Sequence, residues 1–242
     1  MIDQSGAAEG QSANITTEES SMTNVRSESR PPLKLAVLIS GTGRSLANMI
    51  ERIRAGQLHC DIRLVVSSTP DAKGLRYAEM AGIPMAVFER KDFPSQDDFS
   101  RAVFDRVRSA GADLVALAGF LKRLTIPDDF ANRVVNIHPA LIPSFCGQGF
   151  YGHHVHEAAL AYGVKLSGCT VHFVDNQYDH GPVILQTAVP VLDDDTPDAL
   201  ADRVFAAECQ AYPAALQLIA EGRVRVDDRR VRTGPPRASG VE

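Results

Sequence analysis

The chain reads as an α/β protein with a mostly parallel sheet and an antiparallel extension toward its C-terminal end. Three observations predict this. Short apolar runs alternate with amphipathic stretches of helical period over residues 33–137, the pattern of βαβ units. The first apolar run opens directly into a glycine turn and a helix. Beyond residue 163 the alternation stops, and two extended runs flank one polar loop.

Residues 1–32 are rich in Ser, Thr, Glu, Gln, Asn and Gly. Such a segment buries too little apolar surface to offset its ordering entropy, so a disordered tail ending at Pro31-Pro32 is expected. Residues 33–39 (LKLAVLI) form a buried strand, 40–43 (SGTG) a tight turn and 44–54 a helix. A strand over 62–66 follows, then a helix over 73–81 closed by Gly82, a short strand over 85–88, and a helix over 96–109 closed near Gly111. Strands over 114–118 and 134–137 complete the parallel part. Residues 164–174 and 183–191 are the two extended runs. A long helix covers 198–221, capped by Asp195 or Thr196 with Pro197 at its first position. A short Arg-rich hairpin and a frayed tail fill 223–242. This organisation is one domain over residues 33–230 between two tails, 1–32 and 231–242.

The 242 residues carry 44% hydrophobic and 23% charged side chains, an ordinary globular mixture that excludes collagen, coiled coil and full disorder. A formal charge of −5 argues against a broad basic surface for nucleic acid. No run reaches the roughly 18 apolar residues of a membrane span. Cys60, Cys146, Cys169 and Cys209 form no CxxC pair, which fits a reducing compartment rather than a disulfide framework. Residues 1–32 contain no apolar signal-peptide core, and a cytoplasmic location is expected.

The turn Ser40-Gly41-Thr42-Gly43 feeds a helix N-terminus. Glycine permits positive φ and close backbone approach, and the free N–H groups and positive dipole end suit an anion. Arg44 and Ser45 add donors. Leu46 stands where a dinucleotide fingerprint has its third glycine, and the second strand ends Val66-Ser67-Ser68 without a ribose-gripping acid. The turn therefore suits a single phosphate, unless it is a plain βα connection.

Asn136 and His138 close an apolar strand two residues apart, so their side chains share a face. The carboxyl ends of parallel strands are where ligands bind. An amide donor beside an imidazole suits polarisation of a carbonyl; a hydrogen-bonded structural histidine at a strand end is the plainer alternative. An orienting carboxylate would come from Asp175 or Asp179, both in the loop before Gly181-Pro182, where either also serves as a turn former. Six of seven histidines lie between 138 and 180, including His153, His154 and His156. No pair has HExxH spacing and no cysteine lies at ligand spacing, so no metal is expected. There is no GxSxG elbow either, which disfavours a serine nucleophile.

The segments SGTGRSLANMI, AGFLKRL, NIHPALIP, SGCTVHFVD and DHGPVILQ, in this order, resemble the folate-dependent formyltransferases, and among them the phosphoribosylglycinamide formyltransferases. The likeness runs over about residues 33–230 and implies a Rossmann-like formyltransferase domain. It implies 10-formyltetrahydrofolate as co-substrate, glycinamide ribonucleotide as acceptor, no metal, and a monomer or homodimer without nucleic-acid or membrane partners. Asn136 and His138 would then stabilise the oxyanion, and Asp179 would keep His138 cationic. Gly41, Gly43, Arg44 and Ser45 would hold the substrate phosphate, and Glu208 would contact the nucleotide. Leu121, Lys122, Arg123, Leu124 and Asp175 would line the folate pocket.

The chain departs from this pattern in four places. Arg44-Ser45 replaces the usual Ser-Asn, and the segment after Ile142-Pro143 carries about five extra residues in Cys146 to Gly152 (CGQGFYG). His180 replaces a small or acidic residue, and Gln96 stands where an arginine is frequent. These changes bear on the acceptor: deformylation, with water in place of the amine, or transfer to another amine are the alternatives.

Overall fold

The structure, a computed structural model, describes residues 30–235. The segment expected to be disordered lies outside the described residues except for its last three positions, as does the end of the C-terminal tail. The elements are β1 (Leu33–Ile39), α1 (Arg44–Arg54), β2 (Cys60–Ser67), α2 (Leu75–Met80), β3 (Met85–Val87), α3 (Gln96–Ser109) and β4 (Leu114–Leu117). They continue with β5 (Val134–His138), α4 (His153–Tyr162), β6 (Leu166–Phe173), β7 (Val183–Pro190), α5 (Pro197–Ala220), β8 (Val224–Asp227) and β9 (Arg230–Thr233).

Among the described residues one sheet runs β3-β2-β1-β4-β5-β6-β7-β9-β8. Strands β3, β2, β1, β4 and β5 pair in parallel. The sheet then reverses: β6 is antiparallel to both β5 and β7. Strand β1 is buried on both faces, so its run is apolar without alternation. Leu35, Val37 and Ile39 join α1 and α5 on one side. Ala36 and Leu38 join Phe99, Val103 and Phe104 of α3 on the other.

Differences from the sequence reading are local. Helix α2 starts at Leu75 rather than 73, because Gly74 N–H donates to the Gly41 carbonyl and is tied to the glycine turn. Gly43 has φ +71° and a Cβ there would lie 2.4 Å from Gly74 Cα. Gly41 neither has a positive φ nor meets a neighbour, so only the second glycine of the turn is required. Strand β5 extends through His138, and β9 continues to Thr233, past residue 230.

Thr196 Oγ1 accepts the Ala199 N–H at the start of α5, with Pro197 in the first turn. Pro213 lies inside this helix. A proline removes the N–H that the carbonyl four residues earlier would receive. That carbonyl, of Cys209, accepts instead from Arg52 Nη2 at 3.4 Å, which lets α5 run on against α1.

Tyr212 of α5 is fully enclosed, and its hydroxyl lies 3.0 Å from the Leu117 carbonyl and 3.1 Å from that of Val135. It ties β4 to β5 near their carboxyl ends. Tyr212→Phe should lower unfolding free energy by about 0.5–1.5 kcal/mol, the net worth of a buried hydrogen bond, as urea denaturation would measure.

Candidate active site

The order of the parallel strands turns around between β1 and β4, and such a switch opens a crevice at the carboxyl ends of the strands. The turns leaving β1 and β4 are joined there. Ser40 N–H donates to the Gly119 carbonyl, and Ser40 Oγ accepts the Leu121 N–H at 2.8 Å. A cavity of about 490 Å³ opens beside them, lined from β4 and β5, from residues 119–124, from 147–152 and from 174–179. That volume is typical of small-molecule sites.

Asn136 and His138 both line this cavity, as does Asp179. His138 is almost fully buried; its Nε2 donates to the Phe145 carbonyl at 2.8 Å, and its Nδ1 lies 3.6 Å from Asp179 Oδ2. Both ring nitrogens thus face acceptors. The same Asp179 oxygen accepts the Gly147 N–H at 2.9 Å. The other, Oδ1, lies 3.7 Å from His172 Nε2, which is 3.3 Å from Asn136 Nδ2. Burial holds the His172 ring below the usual histidine range, against the opposing pull of the Phe173 carbonyl and Asp179.

The two candidate aspartates separate here. Asp179 faces His138, whereas Asp175 is spent within its own loop: Oδ1 accepts the Gln177 N–H and Oδ2 pairs with His180 Nδ1 at 2.7 Å. Asp175 still borders the cavity, together with Leu121, Lys122, Arg123 and Leu124. The two lining segments are stitched to each other. Arg123 Nη2 donates to the Asn176 carbonyl, and Asn176 Oδ1 accepts the Ile126 N–H. Gln96 of α3 donates to the Arg123 carbonyl and so supports the same wall.

The glycine turn lies apart from this cavity: Gly41, Gly43, Arg44, Ser45 and Glu208 are not among its lining residues. Arg44 turns onto α5, its guanidinium 3.6 Å above the Phe205 ring and 3.4 Å from Asp202. Its charge reaches Glu208, whose carboxyl is pushed up to about 7 by burial, with Arg44 pulling the other way. A cation, a carboxyl and the start of α1 therefore lie near one another outside that cavity.

Sequence reasoning assigned no role to His172, Phe145 or Gly147. His172 stands opposite Asn136 across the β5–β6 ladder, a relation set by register. Phe145 and Gly147 act through backbone groups, which leave no side-chain signal. The histidines weighed as ligands have other surroundings: His153 lies 3.4 Å from Asp198, His154 pairs with Glu157, and His156 is buried. Among the described residues no group of three or more His, Cys, Asp or Glu side chains is placed to hold a metal ion. No helix among them is long and apolar enough to cross a membrane.

Residues 33–216 match the family model described as formyl transferase. The chain is 43% identical over 193 residues to the trifunctional purine biosynthetic protein adenosine-3 of Drosophila melanogaster, covering 78% of this chain and 14% of that protein. It thus spans about a seventh of that relative's length. It is 38% identical over 197 residues to the phosphoribosylglycinamide formyltransferase of Haemophilus influenzae, covering 81% of this chain and 91% of that one. Among solved structures, glycinamide ribonucleotide transformylase 1 from Symbiobacterium toebii superposes with a TM-score of 0.79 at 41% identity, covering 84% and 94% of the two chains.

The raised Glu208 carboxyl carries a stability consequence. The folded state keeps a proton that the unfolded chain has released between the ordinary value of 4.5 and about 7. Its contribution is fully present below the lower value and lost as pH rises through the upper one. Glu208→Gln should therefore unfold at higher urea than the parent at pH 8 and at the same urea at pH 4.

Proposed function

Because this chain belongs to the formyl transferase family, we propose that it transfers the formyl group of 10-formyltetrahydrofolate to the amine of glycinamide ribonucleotide in de novo purine biosynthesis. The observation that carries this reading is the arrangement of Asn136, His138 and Asp179 on one cavity at the carboxyl edge of the sheet. The names of the relatives that match most of their own length support it.

The amine nitrogen attacks the formyl carbon; a C–N bond forms and the carbonyl electrons move onto oxygen. Collapse of this intermediate breaks the bond to the folate nitrogen, which takes up the proton the amine gives up. No bond to the enzyme forms. Asn136 donates to the oxyanion, and one such donor contributes about 2.7–4 kcal/mol. His138, whose two nitrogens face the Phe145 carbonyl and Asp179, supplies a transferable proton. Asp179 keeps that ring charged and oriented. The start of α1, with Arg44 and Ser45, takes the substrate phosphate, and Glu208 contacts the nucleotide. Leu121 to Leu124 and Asp175 to Asp179 line the folate. The same reading places the protein in the cytoplasm as a monomer or homodimer.

The test is an acceptor screen with purified protein and 10-formyltetrahydrofolate. Formyl loss should require glycinamide ribonucleotide. Equal loss in water alone would make the protein a deformylase, and loss only with another amine would change the acceptor.

Two variants probe the roles. Asp179 has φ +48°, a conformation asparagine also tolerates, so Asp179→Asn should fold. It should lower kcat by about 10²-fold or more, as loss of acid–base help does, with both KM values within about twofold. Arg44→Ala should raise KM for the ribonucleotide about tenfold, the worth of one charge-assisted hydrogen bond, and leave KM for the folate unchanged.

A further inference from the structure

We propose that His172 is a positioning residue that fixes which end of the Asn136 side-chain amide is presented, making Asn136 a donor rather than an acceptor toward the reacting oxygen. The proposal deepens the transfer reading above and rests on it.

The argument follows the protons. His172 is 2% exposed, and its Nδ1 lies 2.7 Å from the Phe173 carbonyl. A carbonyl only accepts, so Nδ1 carries the hydrogen. In the neutral ring favoured by burial, Nε2 is then bare and can only accept. Asn136 stands directly opposite in the β5–β6 register, with its amide nitrogen 3.3 Å from that bare Nε2. Flipping the amide would set oxygen lone pairs against a nitrogen lone pair. The nitrogen end is thereby held in place.

One of its two hydrogens is used on His172, and the second remains on a residue that lines the cavity. An amide free to rotate would spend part of its time with its oxygen toward the developing oxyanion, where it repels. His138 contrasts with this: both its nitrogens face acceptors, so the two histidines of the site hold opposite roles.

Two measurements test this. In the parent protein, NMR should show scalar coupling across the hydrogen bond between Asn136 Nδ2 and His172 Nε2; absence of that coupling overturns the proposal. A double-mutant cycle then uses His172→Phe, which keeps a ring of similar volume and removes the acceptor, together with Asn136→Ala. His172→Phe should lower kcat about tenfold to a hundredfold, part of what a full oxyanion donor supplies, with both KM values within about twofold. In the Asn136→Ala background the same change should cost less than about twofold, because a residue acting through Asn136 has nothing left to act on. Unchanged kcat in the single variant, or the full loss repeated in the double, overturns the proposal. A parent protein that shows the coupling but transfers no formyl group keeps the amide orientation and removes the transfer reading instead.

Discussion

One carboxylate organises this site. Asp179 is largely buried between two histidines and a backbone N–H, and its placement follows from the loop that carries it. That loop joins β6 to β7 and bends sharply at Gly181, where a Cβ would lie 1.9 Å from the Phe173 carbonyl. Asp175 closes the turn through the Gln177 N–H, and Asn176 ties it to Ile126. The cost of desolvating a carboxylate is offset only if donors are already in place, here the Gly147 N–H and His138. Asp179 is thus placed by the hydrogen bonds of its loop, and His138 lies between it and the Phe145 carbonyl.

The sheet supplies the rest of the precision. Two antiparallel strands added beside β5 bring His172 against Asn136 and Thr170 against His138. Thr170 donates to the Ala140 carbonyl and accepts from Ile142 N–H and Gln186 Nε2. This fixes the path of the chain leaving β5 toward Phe145 and Gly147, the two residues whose backbone groups contact His138 and Asp179. Parallel strands present the functional side chains, and the antiparallel extension locks them. The candidate site sits where the sheet changes character.

The Gly-rich segment 146–152 and His180 each take a defined place beside the cavity. Gly147, Gly149 and Gly152 line the cavity with positive φ and nothing close to a would-be Cβ, so this segment forms part of the cavity wall rather than the core. His180 bridges Asp175 to Arg229, whose Nη2 also donates to the His180 carbonyl. The C-terminal hairpin thereby becomes a support for the loop that carries Asp179.

The element order apart from α4, the parallel-to-antiparallel change and the candidates Asn136 and His138 were legible in the sequence, because strand alternation, helical period and the position of a residue at a strand end are local properties. The helix Gln96–Ser109 is legible to the residue for this reason, its apolar spacing being contiguous; its Ser95 cap is a finding of the structure. The choice between Asp175 and Asp179, the carbonyl of Phe145, the part played by His172 and the turn of Arg44 onto Phe205 were decided by tertiary structure. Each depends on a distance between segments separated by 5 to about 160 residues in the chain, and strand register and loop path set such distances. Composition and spacing name which groups are available to do chemistry; only the packed sheet decides which lone pair meets which proton.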